Sequence, residues 1–252
     1  MGKIGLQLYS VRDAAGKDFL GTVRRIADMG YDGIQFAGFF NTPAEELKKV
    51  LDEKGITAAG SHMGLDTLRG ENLKQTLEYN QKIGNGLIIC PYLPEEIRKT
   101  SDDYKKIAEV LNEVGRTCRE NGFTFAYHNH NFEFEAFDGE TGFNILFENT
   151  DPQFVKVELD CYWVTYAGLS PTDIIEKYGD RVVSLHIKDM KMVDGVKRSI
   201  EIGSGELDIN GLLNTGDQFG VNWYIVEQEQ FDGDPMESSL INIENLKSKA
   251  GR

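Results

Sequence analysis

The chain has 252 residues and carries 27 Lys and Arg against 41 Asp and Glu, a net charge of −14. That charge excludes a grip on nucleic acid through its phosphates, and no apolar run approaches the roughly 18–20 residues needed to cross a bilayer. Cys90, Cys118 and Cys161 are too scattered for a disulfide framework or a metal knuckle, and 40% hydrophobic residues suit a soluble protein of a reducing, cytoplasmic compartment.

The first strand is IGLQLYS at 4–10, which follows Met1 with no basic-then-apolar leader pattern. A helix over 18–29 closes at Gly30, and YDGIQF at 31–36 forms the second strand. Pro43 opens a helix over 43–54, with Thr42 as its cap and Gly55 as its stop. ITAAGSH (56–62) leads to a helix over 68–83, and GLIIC (86–90) to a long amphipathic helix over 101–120. FTFAYHNH (123–130) precedes a short helix over 141–149, and FVKVELD (154–160) precedes one over 171–178 that starts at Pro171. RVVSLHIKD (181–189) is followed by a loop and a helix over 208–219. NWYIVEQE (222–229) is the last strand, and 237–249 the last helix.

Eight such alternations at about 31 residues each leave two architectures, an open doubly wound sheet or a closed barrel. The first strand-to-helix turn, YSVRDAAGKD, lacks the glycine-rich phosphate fingerprint of a doubly wound nucleotide binder. The count of eight, with no linker or composition break, predicts one α/β domain over 1–252, a (β/α)8 TIM barrel.

Barrel enzymes assemble their sites at the C-terminal ends of several strands. His62, His128, His130 and His186, all the histidines of the chain, fall at such ends. Glu158 and Asp160, two residues apart, share one face of strand six. Glu227 lies at the same level in strand eight, Gln7 and Tyr9 share a face of strand one, Gln35 closes strand two, and Lys188 follows His186 on the same face. Each has a plain structural role open to it. Asp160 could cap the next segment, Glu227 could pair with Lys188, and Glu158 could serve as a buried ion-pair partner. Together, carboxylates and imidazoles converging on one mouth point to a divalent cation, with Mn²⁺, Mg²⁺, Co²⁺ and Zn²⁺ all compatible. Cys161 alternates away from Asp160 and is expected in the core. GSGE at 203–206 reads as a turn before an Asp208 helix cap, and the acidic runs at 45–47 and 94–96 as helix starts. Aromatics at strand ends, among them Tyr9 and Trp163, suit sugar rings or packing under loops.

The segments IGLQLYSVRD (4–13), AGSH (59–62), YHNHNFEF (127–134), ELDCYWV (158–164), HIKD (186–189), EIGSGELD (201–208) and VEQE (226–229) recur in order along nearly the whole chain. In them the sequence resembles the xylose isomerase-like barrel superfamily, in its sugar phosphate isomerase/epimerase branch near inosose dehydratase-like proteins. The resemblance implies a metal held by a Glu–Asp–His–Glu quartet from strands five to eight. Its last three members fall on Asp160, His186 and Glu227, and the first on His128, where the epimerases have Glu.

The implied activity is a metal-dependent sugar isomerase or epimerase that removes a proton beside the carbonyl of a ketose or related keto-sugar. His128 is then a ligand or the base, with Glu227 the other candidate base. Lys188 or His62 would donate a proton or steady an oxyanion, and where His128 is the base Glu158 would complete the metal's shell. Gln7, Gln35, Asn129 and His130 would read hydroxyls, with Tyr9, His62 and Trp163 beside them. A His in the first place also suits one-sided elimination, so a keto-sugar or keto-inositol dehydratase is the alternative. A barrel that only binds metal or sugar is the non-enzymatic one. The implied partner is a small sugar or polyol, with no nucleic acid and no membrane. A homo-oligomer is compatible with the sequence, and no arginine cluster at the strand ends demands a phosphate.

Overall fold

Eight parallel strands close on themselves: β1 Lys3–Gln7, β2 Gly33–Phe36, β3 Thr57–His62, β4 Leu87–Cys90, β5 Thr124–His128, β6 Lys156–Asp160, β7 Val182–Ile187 and β8 Trp223–Val226. Each pairs with its sequence neighbours, and β8 returns to pair with β1, Lys3 opposite Trp223 and Leu6 opposite Val226. The computed structural model describes residues 2–137 and 139–251. Met1 and Arg252, the ends of the expected 1–252 domain, lie outside the described residues, as does Asp138.

Around the barrel run α1 Phe19–Asp28, α2 Ala44–Lys54, α3 Gly70–Ile83, α4 Ser101–Glu120, α5 Gly142–Glu148, α6 Pro171–Tyr178, α7 Ile209–Gln218 and α8 Pro235–Lys249. Among the described residues no helix is long and apolar enough to cross a membrane. Their starts follow from local chemistry. Thr100 and Asp103 form a reciprocal capping box on α4, and Asp18, Thr141, Ser170 and Asp208 each accept a backbone N–H of the helix they open. Thr42 does not cap α2. Pro43 occupies that place without a side-chain bond, while Gly55, at φ 66, ends the helix as expected.

The core lies between sheet and helices, where Ile4, Leu6, Ile34, Tyr127 and Leu185 are fully buried. Gly5 stands where a Cβ would come within 2.8 Å of Ile225 Cδ1, so glycine lets the β1 backbone lie against its neighbours.

Three connections differ from the sequence expectation. β1 stops at Gln7 because the Gln7 side chain accepts the N–H of Tyr9 at 3.2 Å and turns the chain into a 3-10 turn, Leu8–Val11. Asp160 caps a short helix, Cys161–Tyr166, accepting the N–H of Trp163 at 3.0 Å. The expected loop after β7 is a hairpin, Asp189–Val193 against Val196–Ile200. Asp194 and Gly195 both take positive φ at its tip, 50° and 81°, the conformation that an Asp-Gly hairpin turn favours.

Candidate metal centre and cavity

The inward side chains at the C-terminal ends of the strands form one buried polar network. Glu158 on β6 lies at its middle, with no exposed surface. Its Oε2 accepts Gln35 Nε2 at 2.6 Å and Ser184 Oγ at 2.8 Å. Around Oε1 stand three imidazoles: His62 Nε2 at 2.7 Å, His186 Nε2 at 3.0 Å and His128 Nδ1 at 3.2 Å. Such partners outweigh the cost of burying the carboxylate, and its pKa is held well below the usual range by His186 and His62.

His186 is sandwiched between acceptors, with Gln35 Oε1 2.7 Å from Nε2 and Glu227 Oε2 2.9 Å from Nδ1. Burial opposes its charge, but Glu158 and Glu227 raise its pKa to about 10. His128 is the opposite case. Burial and the neighbouring His186 keep it well below the imidazole range, hence neutral. With Nδ1 facing Glu158, its Nε2 lone pair looks toward Asp160 Oδ2 at 3.8 Å.

A second set of contacts gathers at the level of Lys188. Its ammonium, 1% exposed, lies 2.9 Å from Asp160 Oδ2 and 2.8 Å from Glu227 Oε2, and also pairs with Glu229. These carboxylates keep the buried lysine charged. Pairing of Glu227 with Lys188 is one of the roles open from sequence, and capping by Asp160 is another; both occur.

Two overlapping groups can hold a metal ion: His128, Asp160, His186 and Glu227, and His62, His128, Glu158 and His186, each with ligand atoms within 4.8 Å of one another. The residues fit a cation on a further count. Asp160 Oδ2 is buried and, despite the ammonium nearby, accepts no well-aligned hydrogen bond. A buried carboxylate oxygen held by an ion pair with Lys188 and facing a neutral imidazole nitrogen offers an electron pair for which a divalent cation can compete with the ammonium. The mixed nitrogen and oxygen donors suit Zn²⁺, Mn²⁺ or Co²⁺.

Above this floor opens a cavity of about 350 Å³, with His62, His128, His130, Glu227 and Glu229 among its lining. Tyr9 and Tyr92, each 45% exposed, stand in the same lining. Gln7 and Gln35, expected to read hydroxyls, are fully buried and committed to each other, to Glu158 and to His186. Asn129 likewise engages the backbone of Asp160, whose N–H it accepts at 2.9 Å. Trp163 stands beside His130, ring centroids 5.8 Å apart, with its indole N–H buried and without a hydrogen-bond partner. Cys161 is buried, as its alternation implies, and burial raises its thiol pKa well above the usual value.

Sequence reading misses several contributors. Glu229 and Ser184 are legible in principle, each two residues from a recognised inward position on the same strand or its extension. Tyr92 lies just beyond β4. Glu133 carries no spacing signal, yet it is fully buried, accepting Tyr127 Oη and, at 2.8 Å, the N–H of His130. Asp189 organises the GSGE turn, accepting the N–H groups of Gly203, Gly205 and Leu207.

The comparisons with known proteins concern the fold and the family. An inosose dehydratase of Bacillus cereus is 26% identical over 184 residues, covering 66% of this chain; the match spans 61% of that relative's length. A sugar phosphate isomerase/epimerase crystal structure from Parabacteroides distasonis superposes with a TM-score of 0.83 at 25% identity, covering 96% of this chain and 97% of that one. An IolI protein with a bound zinc atom, 14% identical over 99% of this chain and 98% of its own, shares the fold at a TM-score of 0.78. The family model described as xylose isomerase-like TIM barrel matches residues 23–249, and the chain belongs to that family.

Proposed function

We propose that this protein is a divalent-metal-dependent isomerase or epimerase of a ketose or related keto-sugar, acting by proton removal next to the carbonyl. The observation that carries this reading is the buried four-residue group of metal-binding geometry, His128, Asp160, His186 and Glu227, in which Asp160 Oδ2 has an ion pair with Lys188 but no well-aligned hydrogen bond. Asp160, Glu227 and His186, the last on losing its proton, would hold the ion, and His128 would either complete its set or serve as the base. Once bound, the cation supplies Lewis-acid polarisation of a carbonyl and its neighbouring hydroxyl.

The protein's own residues account for the proton. His128 is neutral and lines the cavity, so its Nε2 can accept a proton while Nδ1 remains on Glu158, which steadies the imidazolium. Glu227, kept ionised by Lys188 against the cost of burial, is the second group able to take or return a proton. Glu158 fixes His62, His128 and His186 in one arrangement, and Gln35 and Ser184 fix Glu158.

A second reading is loss of water from a keto-inositol or keto-sugar. It begins with the same proton removal and ends with departure of the β-hydroxyl. The inosose dehydratase match favours it, as does His128 where the epimerases have Glu.

The test is a screen of ketoses and keto-inositols in D₂O with the protein loaded with Mn²⁺, Co²⁺, Mg²⁺ or Zn²⁺. Deuterium at the carbon beside the carbonyl, with an isomer as product, supports the isomerase, and an enone supports the dehydratase. No exchange with any of them leaves only a binding barrel. His128→Ala separates the two roles of that residue: metal retained and exchange lost makes it the base, metal lost makes it a ligand.

A further inference from the structure

The Lys188 ammonium has two sets of neighbours. One is Asp160 Oδ2 at 2.9 Å and Glu227 Oε2 at 2.8 Å, both from the candidate metal group. The other is made by different residues. Glu229 Oε1 accepts the ammonium at 2.5 Å, and the rings of Trp163 and Tyr162 have their centres 5.5 and 5.7 Å from Nζ. Glu229 belongs to neither group able to hold an ion, and its side chain, 32% exposed, is among the lining of the cavity.

This second seat is fixed from outside the metal group. The Glu229 N–H donates to Ser199 Oγ at 3.2 Å and the Gln230 N–H to the same oxygen at 3.1 Å, while the Ser199 N–H donates to Gln230 Oε1 at 3.1 Å. The hairpin after β7 thereby holds the backbone that carries Glu229. Tyr162, 3% exposed, meets Trp163 edge-on with ring centroids 4.9 Å apart, and its Oη points at Lys197 O of the same hairpin at 3.5 Å. Asp160 supports the helix that carries both rings through Oδ1, which leaves Oδ2 out of that task. A carboxylate with two aromatic faces is a suitable setting for an ammonium withdrawn from water.

An ammonium and a divalent cation compete for the same carboxylate oxygens, and their like charges repel strongly in a buried site. When Asp160 and Glu227 are given over to an ion, Glu229 is the carboxylate that Lys188 keeps, and the two are already in contact.

We infer that Glu229 is a positioning residue that retains the Lys188 ammonium when Asp160 and Glu227 pass to a divalent cation, and so sets metal affinity without being a ligand. This rests on the metal centre proposed above, and it needs no turnover to be tested. The affinities of the protein for Zn²⁺ and Mn²⁺ are measured by competition with a chelator. The pH is held fixed, because His186 gives up its proton on ligation.

Glu229→Gln is expected to weaken binding about tenfold or more, the usual cost of removing a partner behind a metal site. Glu229→Asp, which keeps the charge on a shorter arm, costs less. Lys188→Met removes the competitor and binds the ion more tightly than wild type. Adding Glu229→Gln to that variant costs less than about threefold, since a partly exposed charge then acts only through solvent. Lys188→Gln repeats the cycle should Lys188→Met fail to fold.

Unchanged affinity in Glu229→Gln overturns the inference. So does an equal loss with and without Lys188, which would make Glu229 a ligand or a plain structural support. If wild type binds neither ion, the proposed metal centre fails and the inference with it. If the tenfold loss depends on Lys188 while the D₂O screen shows no exchange, the chemistry proposed above fails and the role of Glu229 stands.

Discussion

Lys188 Nζ sits between Glu227 Oε2 and Asp160 Oδ2, at 2.8 and 2.9 Å, so an ammonium of the chain itself bridges two carboxylates of the candidate metal group. Removing it leaves buried negative charge uncompensated. Lys188→Met is expected to destabilise the protein by about 3–5 kcal/mol, the usual cost of stranding one side of a buried pair. A divalent cation takes over part of the compensation. The loss in thermal midpoint should therefore shrink when Zn²⁺ or Mn²⁺ is added, more than wild type gains. A Lys188→Met protein as stable as wild type without added metal would refute the claim that these charges depend on the lysine.

Asp160 is the acid whose loss separates metal binding from fold. Its Oδ1 caps the helix Cys161–Tyr166 and its Oδ2 pairs with the Lys188 ammonium. Asp160→Asn keeps a capping oxygen and removes the charge. Elemental analysis is expected to give about one equivalent of divalent metal in wild type and little in the variant, as for a site with one ion and three or four protein ligands. Retention of the full equivalent by Asp160→Asn would move the ion to the second group, around Glu158.

The barrel is legible in the sequence because its signals are local and repeated. Apolar runs alternate with helical periods, and a cap such as the Asp208 side chain marks a helix start. The polar end of the barrel is legible because alternation places residues two apart on one face, which brings Glu158 with Asp160 and His186 with Lys188. Partnership across the barrel is not. Gln35 reaches Glu158 over 123 positions and His186 over 151, distances at which sequence spacing carries no information. The glutamines therefore read as hydroxyl ligands until the fold shows their amides committed to Glu158 and His186. The Asp194-Gly195 hairpin turn, by contrast, is a local signal that sits in the sequence within a segment read as loop.

Glu133 gives the fold a pH dependence outside the metal group. Burial raises its carboxyl pKa to about 7, against an ordinary 4.5, although Tyr127 Oη and the His130 N–H favour the ionised form. The folded chain thus binds this proton more tightly than the unfolded one. The stabilisation is complete below about pH 4.5, declines as pH rises and is gone above about 7, a change of about 3 kcal/mol. Glu133→Gln has no proton to lose. Urea unfolding of the two proteins between pH 5 and 8 should show wild type losing stability relative to the variant as pH rises to 7, then running parallel to it. A difference that stays constant over this range would mean that Glu133 is ionised throughout.

Arg181 ties the start of β6 to the end of α5, away from the cavity. It is 7% exposed, donates from Nε to Val155 O at 2.9 Å and from Nη1 to Phe147 O at 2.7 Å, and uses Nη2 for Thr150 O and Oγ1. Burial lowers its pKa to about 10, so the guanidinium is charged at neutral pH and supports these oxygens at a desolvation cost. Arg181→Met fills similar space but leaves the acceptors without donors, at about 3–5 kcal/mol. For a chain of this length that amounts to a fall of about 10 °C in thermal midpoint. Arg181→Lys should recover only a fraction, because one ammonium cannot reproduce a planar fork aimed at carbonyls on separate segments. Metal content, measured below the lowered midpoint, is expected to match wild type, since none of these contacts touches the metal group. A fall of less than about 2 °C would show that water takes over the carbonyls and that Arg181 holds little of the fold together.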